Sequence, residues 1–377
     1  MLFKEVIGLV DLKKHLVQTV KDGRVSHAQV FLGNEGSGNL ALAIAYAQYI
    51  NCTNKQEVDS CGECLSCIKY NKLVHPDLHF VFPVATTTSI TSKPISDNFI
   101  VEWREALLDN PYMDVFNWLE RLGIENKQGN INTEESSSIL KKLSLTTYES
   151  EYKVMVIWMA EKMNAACSNK LLKILEEPPE KTLFLLVVGE HEKLLTTIIS
   201  RTQLVKVNKI KDEELISALQ QKHSLPLSQA QVISHLSNGN YNLAVQLIQE
   251  TDGDDFNFSN LQLWMRYCYG RKFADLITWV DSIASIGRER QKNFLSYVSH
   301  SMRETLLLHL KLDKLVRLNG QELEFSKKFS PFVHPKNCDE ISEQLNKAIN
   351  QIERNAHPKI LLLDLSFKMV DLLHIPV

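Results

Sequence analysis

Over the first 208 residues the apolar positions come in short unbroken runs, each bounded by polar or turn residues. Runs of this kind suit strands buried on both faces. They predict strands at Gln29–Leu32, His79–Val84, Lys153–Met159, Leu183–Val188 and Leu204–Val207. Several of the intervening segments take the longer period of a helix. Leu12–Val20 precedes the first strand, and the alanine-rich Asn39–Ile50 follows it. Lys162–Glu177 sets Met163, Ala166, Cys167, Leu171, Ile174 and Leu175 on one face, and Pro178-Pro179 stops it. Strands alternating with helices imply a parallel α/β sheet.

One connection in this pattern is too long, the stretch from Pro83 to the strand at Lys153. Ile131–Leu143 reads as a helix, with Thr133 as N-cap before Glu134 and Glu135. That leaves roughly residues 86–130 as an insertion. It begins with the polar TTTSITSKPISDN, the composition of a solvated loop, and continues through two segments around Trp103 and Trp118. No chemistry is assigned to it.

After Asn208 the strand signal fades. Lys211–Lys222, Ser228–Leu236 and Tyr241–Gln249 form a three-helix unit, punctuated by Pro226 and Gly239. TDGDDFNFSN at 251–260 reads as a linker. From Leu261 onward the chain is helical, with breaks at Asn319-Gly320 and around residues 330–336. The expected organisation is a core over 1–208, a helical lid over 209–252 and a helical domain over 256–377. The amphipathic helices of the last domain fit either a packed bundle core or a surface for neighbouring subunits.

Composition narrows the function. A hydrophobic fraction of 44% and a charged fraction of 23% are those of a globular protein with a large core. A net charge of −3 argues against a dedicated nucleic-acid binder with a strong basic field. The opening MLFKEVIGLVDLKKHL is charged every few residues, unlike a signal peptide. No apolar run approaches the roughly 18 residues of a membrane span. The expected location is the cytoplasm, away from membranes.

In a reducing compartment a cysteine cluster points to metal rather than disulfides. Of seven cysteines, four fall together as Cys52-x8-Cys61-x2-Cys64-x2-Cys67. Four thiolates surround one Zn²⁺ tetrahedrally, and x2 spacings let a tight loop, helped by Gly62, deliver successive sulfurs. Four protein ligands make such a site structural. An iron–sulfur cluster is the rival, though no proline follows the last cysteine. His75-Pro76-Asp77 leads straight into a strand and reads as a turn.

Gly33-Asn34-Glu35-Gly36-Ser37-Gly38-Asn39-Leu40 has the spacing of a phosphate-binding loop between a strand and a helix. The lysine position holds Asn39, which brings no charge to a phosphate. The Ser/Thr position holds Leu40, which cannot ligate Mg²⁺. An ATP site also needs an acidic pair at another strand tip. There the chain has Trp158 and Met159, with Glu161 two residues on, either a displaced remnant or a helix-start acid. Both halves of the site are therefore expected to be lost, and no ATP is expected to bind productively.

SHAQVFLGNEGSG (26–38), NKLLKILEEPPEKTLFLL (169–186) and TTIISRT (196–202), with the cysteine cluster between the first two, resemble the clamp-loader branch of the AAA+ ATPases. The resemblance is strong over residues 1–84 and 131–208, and the insertion has no counterpart in it. It implies a five-stranded parallel core, a three-helix lid and a C-terminal collar domain. It further implies a subunit of a five-membered loader, beside gamma/tau-like ATPase subunits and a delta-like subunit. That loader places a sliding clamp on primer-template DNA during replication. In this family Ser200-Arg201 would be a trans-acting arginine finger for a neighbour's ATP. The family motif is Ser-Arg-Cys, and here Thr202 replaces the cysteine and spares the arginine. Two further nucleotide-sensing positions are blunted: Val187-Val188-Gly189 ends a strand where a polar residue is expected, and Asn242 stands at the lid's arginine position. The competing functions are an active ATPase with an unorthodox loop, against which Asn39, Leu40, Trp158 and Met159 weigh, and a zinc-bearing DNA-binding module, against which the mild acidity weighs.

Overall fold

The apolar runs form a five-stranded sheet of β1 (Ala28–Leu32), β2 (Leu78–Val81), β3 (Lys153–Trp158), β4 (Thr182–Val188) and β5 (Gln203–Lys206), in the order β2-β3-β4-β1-β5. Every pairing is parallel. Alternate side chains feed two layers. Phe31, Val156, Leu185 and Val187 enter the larger core with α1 (Val10–Lys21) and α2 (Asn39–Asn51). Val30, Met155, Ile157 and Leu186 face the other core. The computed structural model describes residues 1–88, 90–124, 127–251, 256–316, 318, 320–354 and 356–376. The chain divides into two units, Met1–Ile248 and Gln249–Val377.

The first unit adds α3 (Leu65–Asn71), α4 (Ile100–Asp109), α5 (Val115–Arg121), α6 (Thr133–Leu143), α7 (Ala165–Glu176), α8 (Thr196–Ile199), α9 (Asp212–His223), α10 (Leu227–Ser237) and α11 (Tyr241–Thr251). Its boundaries correct the sequence reading at several points, each for a local reason. β2 stops at Val81 because Phe82 donates its N–H to Ser96 Oγ at 3.0 Å and Val84 pairs with Asn130 instead of the ladder. β3 stops at Trp158 because Met159 turns to φ 53°. Ile131 is not helical: it bridges Met163, and Asn132, not Thr133, is the N-cap of α6. α7 starts at Ala165, where the Asn164 side chain accepts from Cys167 N–H at 2.8 Å. Its buried face carries Ser168, whereas Ala166 is exposed. β5 is shifted by one residue from expectation, to Gln203–Lys206.

The insertion departs most from a solvated loop. Trp103 on α4 and Trp118 on α5 are both fully buried. Trp103 stacks on Phe82 with centroids 4.1 Å apart and lies 5.0 Å from Trp158 at the tip of β3. Trp118 meets Trp103 edge-on and donates its indole N–H to Pro83 O at 2.8 Å. Each indole removes some 150–250 Å² from water, enough to fold the segment onto the sheet. Ser96, inside the polar lead-in, is buried beneath it.

The second unit holds α12 (Phe256–Tyr269), α13 (Phe273–Ser285), α14 (Arg288–His309), α15 (Gly320–Phe329), α16 (Cys338–Glu353) and α17 (Pro358–Leu372) around Trp264, Trp279 and Phe294. The expected linker falls partly at 252–255, outside the described residues, while Phe256–Asn260 begin α12 instead. No described helix is long and apolar enough to cross a membrane.

Candidate functional site

The loop after β1 turns into α2 through Gly36 and Gly38, both at positive φ (68° and 87°). A Cβ on Gly36 would lie 1.8 Å from Asn240 Oδ1, and one on Gly38 2.8 Å from the Tyr112 ring, so both positions need glycine on two counts. Asn39 turns its side chain inward. Its Nδ2 donates to Gly33 O at 2.9 Å and to Val188 O at 3.4 Å, and its Oδ1 accepts from Leu40 N–H. Leu40 is a core residue, 2% exposed. Opposite the loop stand Trp158 and Met159, both buried. Glu161 lies in the first turn of a short 3-10 helix, Ala160–Lys162, as a helix-start acid, and its Oε1 accepts from Gly189 N–H at 2.8 Å and Glu190 N–H at 3.3 Å. Burial holds its carboxyl above the usual range.

The lid closes this cleft. Tyr241 N–H donates to Gly36 O at 3.0 Å. Asn242 Nδ2 donates to Asp114 Oδ2 at 2.9 Å and Asn117 Oδ1 at 2.7 Å, while its Oδ1 accepts from Asn110 at 2.7 Å. Tyr112 reaches from the insertion between the loop and the lid, its hydroxyl accepting from Ile7 N–H at 2.7 Å. The cavity left among Gly33, Leu40, Tyr112 and Trp158 measures about 20 Å³. That is space for about one water, whereas small-ligand sites occupy ~300–1,000 Å³. Sequence reasoning missed Asn110, Tyr112, Asp114 and Asn117. The available signal was aromatic: a Trp at a strand tip and two more in an insertion of otherwise unassigned purpose.

Ser200 and Arg201 lie elsewhere, on the turn that ends α8, and Arg201 does not line that cleft. Arg201 Nε donates to Glu176 Oε1 at 2.6 Å, and Nη2 reaches the same oxygen. Nη1 donates to Thr197 O at 2.9 Å. The guanidinium is thus held by a carboxylate and a helix-end carbonyl while a third of the side chain stays exposed. Glu176, the last residue of α7, was the partner that sequence could not name.

Cys52 at the end of α2, Cys61, and Cys64 and Cys67 around the start of α3 come together with all four sulfurs within 4.8 Å of one another. Two of the separations are 3.6 and 3.9 Å. A tetrahedron with metal–sulfur bonds of about 2.3 Å has edges of about 3.8 Å, so the cage fits one ion and has no room for a multi-iron cluster. Backbone N–H groups of Cys61, Cys64 and Cys67 point at the preceding sulfurs at 3.3–3.4 Å, the charge-stabilising bonds a thiolate needs. Burial alone would raise the Cys64 thiol, but hydrogen bonds from Thr53 and Cys67 outweigh it and bring it down to about 6. Burial raises the Cys52 and Cys67 thiols, so loading a cation there releases protons. His75 is not a ligand; it is buried in the turn, with Asp77 N–H donating to its Nδ1 at 3.1 Å.

A parallel sheet in this order, with a glycine loop after β1 and a helical lid over it, defines an AAA+ core. Residues 9–211 match the family described as DNA polymerase III, delta subunit, more than half of the chain, and the chain belongs to that family. The delta' subunit of Bacillus subtilis (strain 168) is 26% identical over 254 residues, 67% of this chain and 62% of that protein. The delta' subunit of Escherichia coli (strain K12) is 23% identical over 294 residues, 78% and 74% of the two chains. The Bacillus subtilis tau subunit is 26% identical over 217 residues, 58% of this chain and only 31% of its own length. The chain therefore spans less than two thirds of the first two Bacillus relatives.

Proposed function

We propose that this chain is a clamp-loader subunit without a working nucleotide site of its own, and that it lends Arg201 to the ATP site of a neighbouring gamma/tau-like subunit. The loader so completed places a sliding clamp on primer-template DNA in the cytoplasm. A filled cleft together with an accessible arginine elsewhere on the same unit is the observation that carries this reading. Asn39 and Leu40 supply neither cation nor hydroxyl, and about 20 Å³ leaves no place for a triphosphate. Arg201 keeps a planar, permanently charged fork suited to phosphate. Its present partner is weak competition: the Glu176 pair is a third to a half exposed, and such pairs contribute only about 0–1 kcal/mol. Moving the guanidinium onto a partner's γ-phosphate therefore costs little.

The test is a loader reconstituted from this chain and its ATPase-bearing sister subunits. Arg201→Ala should assemble normally and lower turnover at the adjoining site by on the order of 10³, the scale of trans-supplied arginines. Undiminished turnover in a correctly assembled complex removes the claim.

The cysteine cage is proposed to hold one structural Zn²⁺ through Cys52, Cys61, Cys64 and Cys67. The ion would tie the end of α2 to the start of α3 and supply folding free energy. Elemental analysis should find one zinc per chain, lost in Cys61→Ser together with part of the thermal stability. A chain that purifies without zinc and is unmoved by added zinc would refute this.

A further inference from the structure

We propose that the insertion, through residues 100–121, clamps the lid to the core in the place a nucleotide would take. The inference rests on the reading that this chain has no working nucleotide site, and it gives the unassigned segment a task at that site. A bound nucleotide bridges three things: the glycine loop, a strand tip and the lid. The insertion touches all three. Tyr112 brings the edge of its ring to Gly38 on one side and meets the Tyr241 ring of the lid on the other, tilted at 57° with centroids 4.8 Å apart. The backbone N–H of Ile7 donates to the hydroxyl of this ring at 2.7 Å. Trp103 covers the strand tip at Trp158. Asn110, Asp114 and Asn117 all converge on one lid side chain, Asn242.

An insertion that merely needed somewhere to pack would bury its tryptophans and stop. This one spends three polar side chains on a single buried residue of the lid, Asn242, which is 3% exposed. Buried polar groups matched one to one fix orientation as well as position. The consequence is a lid whose angle to the core is set by the chain itself.

The experiment is amide hydrogen exchange on the full chain, comparing α11 with β3 and β4 as internal reference, in wild type, Asn242→Ala and Tyr112→Ala, each with and without Mg-ATP. The expected result is roughly ten-fold faster exchange in α11 in both variants, unchanged exchange in β3 and β4, and no effect of Mg-ATP on wild type. Should either variant fail to fold, Asn117→Ala, which removes one of the three bonds to Asn242, gives the graded measure. Wild-type exchange rates in α11 of the variants overturn the clamp. Faster α11 exchange in the variants together with slowing by Mg-ATP in wild type keeps the clamp and sinks the reading that this chain binds no nucleotide.

Discussion

The nucleotide cleft and the Ser200–Arg201 turn belong to the same α/β unit and have opposite characters. In the cleft Asn39 bonds its own loop, one oxygen of Glu161 caps the turn after β4, and Asn242 is tied to the insertion. At the turn, the guanidinium of Arg201 has one half-exposed carboxylate, one carbonyl and the Ser200 hydroxyl for company. Aromatic burial holds the first region, although Ser37 Oγ and Glu161 Oε2 stay buried there without a hydrogen-bond partner. Screened charge holds the second, and its group can be exchanged for a better partner. If the proposed function holds, a site given up is filled by the chain itself, whereas a group kept for a partner stays lightly held.

Three measurements break or sharpen this contrast. Trp103→Ala strikes the filled side: removing a fully buried indole should cost about 3–5 kcal/mol, read from the urea midpoint. A small loss would mean that the insertion is not part of the core. Next comes pH. His79 on β2 is pushed down to about 4 by burial, with Lys142 and Lys153 adding to it. A group whose folded value is depressed stabilises the fold above its unfolded value, near 6.5, and that contribution is lost as pH falls from there through about 4. Wild type should therefore lose on the order of 2 kcal/mol relative to His79→Gln across that window. The difference between the two proteins is the readout, because burial raises Glu135 and Glu161 and their titration opposes the histidine's. Equal pH profiles would place His79 in water. The smallest effect belongs to the turn: Glu176→Ala should change stability by no more than about 1 kcal/mol by the same denaturation assay. A loss as large as that of Trp103→Ala would erase the contrast.

The sheet was legible because strands buried on both faces write continuous apolar runs, and Thr182–Val188 has no polar residue after the first. Its ends were less so. Nothing in HFVFPV says that Phe82 will bond Ser96 rather than continue the ladder. The cysteine cage was legible because its spacing is local. The replacement of the lysine and hydroxyl positions by Asn39 and Leu40 was legible directly, but the filling of the cleft was not. That depends on Trp103, Tyr112 and Asn242 meeting across more than a hundred residues of chain, and no periodicity carries such a meeting. Thr133 illustrates the short-range limit: a plausible cap was displaced by one position because Ile131 had been claimed by Met163.

The carboxamide of Asn39 has one more implication. A glycine-rich loop normally takes its shape around an anion, so its order rises and falls with the supply of that anion. Here a neutral side chain supplies the two donors and one acceptor that close the turn, with no counter-ion to gain or lose. On the proposed reading, the loop's conformation is thereby uncoupled from ionic strength and from the cell's ratio of ATP to ADP, and would stay the same in a starved cell as in a growing one.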